Sequence, residues 1–296
     1  MSDETIPPKT ITITNQKGGT GKTTLTALLA YSLASKGYNV LILDLDPQAH
    51  LSSLFLKISE IENVNDGTFH MAKGLKFEIR KINLQSIRGK LGLVPSGLNY
   101  VINVYRGELP AWDPFAIYKR ISREPAITRE YDFVLCDTPP ELFPPTMWGL
   151  YTADYIIIPS NMEELSLAGL KLLLKEVLPE VLMVRGSDSS HNLKVLGVAL
   201  INVTRHFKQK TFDYLNTVIT KFIKDLPSVI ARNVFEKPLF NTIIHRNSEL
   251  TDLVYRPRRW ELPLDRVLRS ETSLRQEVDS LREEILSRID NFKGLI

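Results

Sequence analysis

Short, nearly continuous apolar runs recur along the chain: Ile11-Thr12-Ile13, Val40-Leu41-Ile42-Leu43, Leu91-Gly92-Leu93-Val94, Phe133-Val134-Leu135-Cys136, Tyr155-Ile156-Ile157-Ile158 and Val195 through Ile201. Runs of this length suit strands buried on both faces of a parallel sheet. Helical patterns lie between them. Leu25, Leu28, Leu29 and Leu33 recur at helical spacing, and Gly37 follows where a left-handed C-terminal cap is expected. Ser160 through Leu174 reads as a helix, Leu98 to Ile127 as helix interrupted at Pro110, Pro114 and Pro125, and Gly186 to Ser190 as a surface loop. At the far end Leu274, Val278, Leu281, Ile285 and Ile289 share one helical face, with Ser273 and Gln276 placed for a capping box. The alternation predicts an α/β fold: a doubly wound, mostly parallel sheet flanked by helices, with a C-terminal helical extension. Residues 1–9 read as a polar lead-in, 10–250 as the main domain and 251–296 as the extension.

The polar residues at the ends of these runs carry the chemistry. After the first run stands Lys17-Gly18-Gly19-Thr20-Gly21-Lys22-Thr23-Thr24, at the start of a helix. A glycine-rich turn there lets several backbone N–H groups converge on an anion, and the helix N-terminus adds about half a positive charge. Lys22 is then placed against the β- and γ-phosphates, and the Thr23 hydroxyl against Mg²⁺. The second run delivers Asp44-Leu45-Asp46-Pro47-Gln48 to the same sheet end, so two carboxylates stand beside the expected phosphates. The run ending at Asp137 has the Walker B form, in which the acid holds a water on Mg²⁺, and Thr138-Pro139-Pro140 follows. Asn202, after the last run, can reach an adenine edge.

The general pattern G-x-x-x-x-G-K-S/T fails at Gln16, and the glycines are packed at 18 and 19. The stretch instead resembles the deviant Walker A of the ParA/MinD superfamily, K-G-G-x-G-K-S/T. That resemblance implies that Lys17 reaches across a dimer interface to the partner's nucleotide. Asp44 to Gln48 resembles the D-x-D-P-Q switch I of ParA proteins, which implies that Asp46 positions the attacking water and that Asp44 belongs to the metal shell. Thr138-Pro139-Pro140 resembles switch II, and Val94-Pro95-Ser96 is similar to the I-P-S step of the family. Ser160 to Leu174 resembles the junction that brings Glu163 near the dimer interface, departing from many relatives at Ala168. Leu239 to Leu250 resembles V-F-x-T-x-I-P-R-N-x-x-L-x-E. His245 stands there in place of proline, while Arg246 and Asn247 are kept for a base or DNA role in what reads as a loop.

Composition narrows the alternatives. With 43% hydrophobic and 24% charged residues the 296-residue chain has the balance of a soluble globular protein. A single cysteine, Cys136, excludes an intrachain disulfide and points to a reducing compartment; its place inside an apolar run makes it a small buried hydrophobe. The five histidines have no metal-ligand spacing. No apolar run approaches the ~20 residues of a membrane span, and the N-terminus lacks the features of a signal peptide. A net charge of +3 is too small to identify a nucleic-acid partner, so the distribution of basic residues carries that question. Arg205, His206, Lys208, Lys210, Lys221, Lys224, Arg232 and Lys237 form a basic stretch suited to phosphate contacts, with a solvated helix face as the competing reading. Lys57 to Lys90 reads first as a solvated face.

Taken together the resemblance covers about residues 10 to 250. It implies an ATPase that uses ATP and Mg²⁺, forms a homodimer with ATP, binds DNA non-specifically and is released by a ParB-type centromere-binding partner in plasmid or chromosome partition, acting in the cytoplasm on the nucleoid. The alternative is a MinD-like membrane-associated regulator of division, using the tail helix as a lipid anchor. Asp279, Glu283, Glu284 and Asp290 dilute the basic face that anionic lipid prefers, so docking of that helix on its own domain or a sister subunit is favoured. An electron carrier of the nitrogenase-reductase kind needs two cysteines per subunit, which Cys136 alone does not supply. ATP-dependent ligation of a small molecule on the same fold would show a substrate requirement for turnover.

Overall fold

A computed structural model describes residues 7–97, 102, 113–161, 167–186, 193–248, 250, 268 and 272–293. Eight strands form one sheet in the order β3-β4-β2-β5-β1-β6-β7-β8. They are β1 Lys9–Ile13, β2 Val40–Asp44, β3 Arg80–Lys81, β4 Leu91–Val94, β5 Phe133–Asp137, β6 Tyr155–Ser160, β7 Lys194–Val203 and β8 Leu239–His245. All neighbours are parallel except β3, which pairs antiparallel with β4. The strand order reverses at β1, flanked by β5 and β6, and that crevice is where ligands bind in doubly wound sheets.

Helix α1, Lys22–Lys36, runs from the loop after β1 and ends at Gly37, whose φ of 115° is the left-handed cap the sequence predicts. Its leucines join β1, β2 and β5 in one hydrophobic core. A second core on the other face packs the helical segment 167–185 and the helix Gln209–Lys224 against β6 and β7. Segment 167–185 contains a π-helical stretch, Leu173–Val177, in its middle. The interrupted helix expected before residue 128 appears within the described residues as Ala116–Arg123 and Pro125–Thr128. Among the described residues no helix is long and apolar enough to cross a membrane.

The terminal helix, Ser273–Lys293, lies against α1 and β8. Leu274, Val278, Leu281, Ile285 and Ile289 are all buried in the first core, so the predicted apolar face docks on the chain's own domain. The helix cap differs from the capping box read at Ser273: Thr272 Oγ1 accepts from the Arg275 N–H at 3.2 Å, one residue earlier. Ser273 instead accepts a bond from Arg205 at 3.0 Å. Polar ties reinforce the apolar contact. Asp279 accepts from Ser32 Oγ at 2.6 Å, Arg282 donates to the Ser32 carbonyl at 3.1 Å, and Arg288 donates to the carbonyls of Leu196 at 2.6 Å and Leu239 at 2.6 Å.

The segment read as a loop from Leu239 is the edge strand β8. Its open edge is covered: Glu284 accepts the N–H groups of Asn241 at 2.9 Å and Thr242 at 3.0 Å. Such cover removes a template for pairing with other chains.

Candidate active site

The loop between β1 and α1 turns through two left-handed glycines, Gly19 at φ 74° and Gly21 at φ 86°. The left-handed backbone favours glycine at 21, and Ile201 Cδ1 of β7 closes on the place where a Cβ would stand. Asn15 ties the loop to the sheet: its Nδ2 donates to the Pro159 carbonyl at 2.8 Å and its Oδ1 accepts from the Lys17 N–H at 3.1 Å. Asn161, at the end of β6, donates to the Gly19 carbonyl at 3.5 Å. Thr14 Oγ1, Gln16 Nε2 and Asn161 Oδ1 are buried around the loop without a hydrogen-bond partner among the described residues. Unsatisfied polar atoms of this kind at a loop mouth fit a site that takes a polar ligand.

The two lysines of the motif face different ways. Lys22 is buried, and its amine donates to the Lys17 carbonyl at 3.1 Å. Lys17 and Gly18 are exposed at the lip, whereas Thr20 is buried with its hydroxyl on the Lys17 carbonyl at 3.3 Å. Thr24 follows Thr23 in the first turn of α1.

Below the loop lie three acids. Asp44 and Asp137 are fully buried at the ends of β2 and β5, and Asp46 is nearly so. Thr23 Oγ1 donates to Asp137 Oδ2 at 2.8 Å, and Thr26 stands 3.4 Å from Oδ1. Asp44 accepts from Ser52 N at 2.7 Å, Ser52 Oγ at 2.6 Å and Asp46 N at 3.1 Å. Asp46 Oδ1 accepts from the Gln48 N–H at 2.9 Å, which fixes the turn through Pro47. Burial raises the Asp44 carboxyl to about 7, against the Ser52 bonds and with the help of Asp46. Burial also raises Asp137 well above the carboxylate range, and the Asp44 charge adds to this while Thr23 and Lys22 oppose it.

That balance tests whether a divalent cation fits. No group of three or more His, Cys, Asp or Glu side chains among the described residues forms a metal cage. A hydroxyl beside buried carboxylates under an anion cradle is instead the oxygen-rich, sparsely liganded setting of Mg²⁺, which keeps waters and binds substrate phosphates. A cation there would offset the crowded negative charge.

The other predicted residues divide into two groups. Asn202, left-handed at φ 57°, is exposed beside Ile201 and accepts a 3.4 Å bond from Arg246 Nε. Asn247 follows and accepts the Leu250 N–H at 3.1 Å. These residues gather at the ends of β7 and β8, on the flank of the loop. Lys208, Lys210, Lys221 and Lys224 instead lie on or just before the helix Gln209–Lys224, exposed and without ion pairs among the described residues. Lys210, Tyr214, Lys221 and Lys224 follow helical spacing on one outward stripe, opposite the buried Ile219 and Ile223. Glu163 lies outside the described residues. The sequence pattern does not single out Ser52, Thr26, Asn15 or Asn161. Only Asn15, two residues before Lys17, carries a turn signal.

Fold and site define a P-loop NTPase. Residues 8–182 match the AAA domain family. An uncharacterised protein of Methanocaldococcus jannaschii is 33% identical over 69% of this chain and 78% of its own length. The chromosome partitioning protein ParA of Myxococcus xanthus is 30% identical over 82% of this chain and 77% of its own. The structure of pNOB8 ParA superposes with a TM-score of 0.81 at 22% identity, over 96% of this chain and 99% of that one. That of pNOB8 ParA bound to nonspecific DNA superposes with a TM-score of 0.77 at 20% identity, over the same shares. The chain belongs to the ParA-type partition ATPases of the ParA/MinD P-loop family.

Proposed function

We propose that the protein hydrolyses ATP with Mg²⁺ as a nucleotide-gated dimer, and that the ATP-bound dimer binds DNA without sequence preference during partition. The observation that carries this reading is the division between the lysines, one buried in the cradle and one exposed at its lip. Lys22 and the amides from Gly18 to Thr24 hold the phosphates. Lys17 completes the site of a second copy, so turnover depends on dimerisation.

Thr23 and Asp137, with Asp44 behind them, would hold Mg²⁺, which supplies charge neutralisation at the phosphates when bound. Asp46, locked by the Gln48 N–H, orients the attacking water, and Asn202 and Asn247 face the base. Lys208, Lys210, Lys221, Lys224 and Arg246 meet DNA phosphates; DNA binding as such draws support from the similarity to pNOB8 ParA, solved bound to nonspecific DNA. A ParB-type centromere-binding protein stimulates hydrolysis and release, and the dimer works on the nucleoid in the cytoplasm. The MinD-like alternative needs an apolar helix face free for lipid, whereas that of the terminal helix is buried.

Light scattering with ATP, ADP or no nucleotide tests the reading. Wild type should double in mass only with ATP. Lys17→Ala should bind ATP but stay monomeric and lose turnover, by on the order of 10³ for a cationic group acting in trans. Wild-type turnover in that variant would overturn it.

A further inference from the structure

Asn247, which the proposed function turns toward the base, is held from an unexpected direction. Arg246 and Asn247 follow His245, the last residue of β8, where the family pattern has proline. The His245 N–H donates to Glu277 Oε2 at 2.9 Å, and the ring Nδ1 faces Oε1 of the same carboxylate at 2.9 Å. A carboxylate can only accept, so the second bond needs the proton on Nδ1. Proline would offer neither donor. The histidine and its partner therefore make sense together.

Glu277 belongs to the terminal helix and is largely buried, at 20% side-chain exposure. Glu284, Arg282 and Arg288 tie that helix down at other points. Beyond His245 the ties continue inward. The Arg246 N–H donates to the Val203 carbonyl at 2.7 Å, and its Nε reaches Asn202. Ile201, next to Asn202, closes on Gly21 of the phosphate loop.

We propose that Glu277 is a positioning residue of the nucleotide site: by gripping His245 at two points it fixes the strand end that carries Arg246 and Asn247. The terminal helix thereby sets the affinity for the base end of the nucleotide, separately from the phosphate cradle. This rests on the reading that Asn202 and Asn247 face the base.

Calorimetry with Mg-ATP and with inorganic tripolyphosphate separates the two ends. Glu277→Ala and His245→Pro should each weaken ATP binding about tenfold, the scale of one charge-assisted hydrogen bond, and leave tripolyphosphate affinity unchanged. The His245 N–H is spent on Glu277, so the proline removes no bond to β7. The double variant should lose no more than either single one. Glu277→Gln keeps an acceptor for the His245 N–H and should recover most of the affinity. Equal losses for both ligands, or no loss for either, would overturn the proposal. Asn202→Ala and Asn247→Ala distinguish the causes of failure. If they bind ATP as wild type does, the base reading has failed and the inference falls with it. If they lose ATP affinity alone while Glu277→Ala keeps it, only the positioning role has failed.

Discussion

Asp44 and Asp137 are register partners across β2 and β5, two fully buried carboxylates side by side at the carboxyl ends of adjacent parallel strands. They differ in what holds them. Ser52 and the Asp46 N–H engage both oxygens of Asp44, whereas Asp137 is held by hydroxyls of α1, principally Thr23. Asp137 is thus the acid joined to the phosphate loop. Asp137→Ala should abolish the difference in ATP affinity between Mg²⁺ and EDTA. Titration of ATP under both conditions checks this, and an undiminished Mg²⁺ effect would move the ion elsewhere.

Gly21 answers to two constraints, and a pair of variants separates them. Gly21→Ala should lose nucleotide binding, because the left-handed backbone costs about 1–2 kcal/mol and the new methyl meets Ile201. Trimming the neighbour in Gly21→Ala/Ile201→Ala removes the clash but not the backbone cost. Binding should return only in part. Full recovery would show that the φ of 86° carries no cost.

The ties of the terminal helix predict an acid response. Burial pushes the Asp279 carboxyl up, but bonds from Ser32 and Arg275 and the charges of Arg282 and Arg275 hold it below the ordinary carboxylate range. A depressed carboxylate contributes stability that is complete above its unfolded pKa of about 3.9 and is lost as pH falls through the folded value. Asp279→Asn should therefore melt lower than wild type near neutrality, with the gap closing below about pH 4. Thermal melts across that range check it; a gap that widens in acid would contradict the sign.

The exposed stripe on the helix Gln209–Lys224 predicts a salt effect. Reversing Lys221 and Lys224 to Glu should weaken binding to all DNA sequences alike and flatten the dependence of log K on log salt by roughly 0.9 for each phosphate no longer neutralised. Basal ATPase should persist. An unchanged slope would make the stripe an ordinary solvated surface and turn attention to the lysines between 57 and 90.

The positions of the acids were legible because Asp44 and Asp137 each end a strand that the apolar pattern identifies, and Lys22 because it opens the helix that follows the glycine-rich turn after β1. What was not legible lies where partners are distant in sequence. Ser52 reaches Asp44 from a three-residue helix too short to show a period, and Glu277 reaches His245 across 32 positions. β3 has two residues, too few for any period, and β8 exposes polar positions at its edge and so read as a loop. The cap at Thr272 lies one residue before the Ser273 of the sequence pattern, within the usual latitude of helix ends.

Whether ATP gates a dimer onto DNA is decided by co-sedimentation with non-specific DNA under ATP, ADP and no nucleotide, with flotation on anionic liposomes run alongside. The protein should be retained on DNA with ATP alone, at physiological salt, and on liposomes in no state. Retention independent of nucleotide, or ATP-dependent flotation without DNA binding, would contradict that gating.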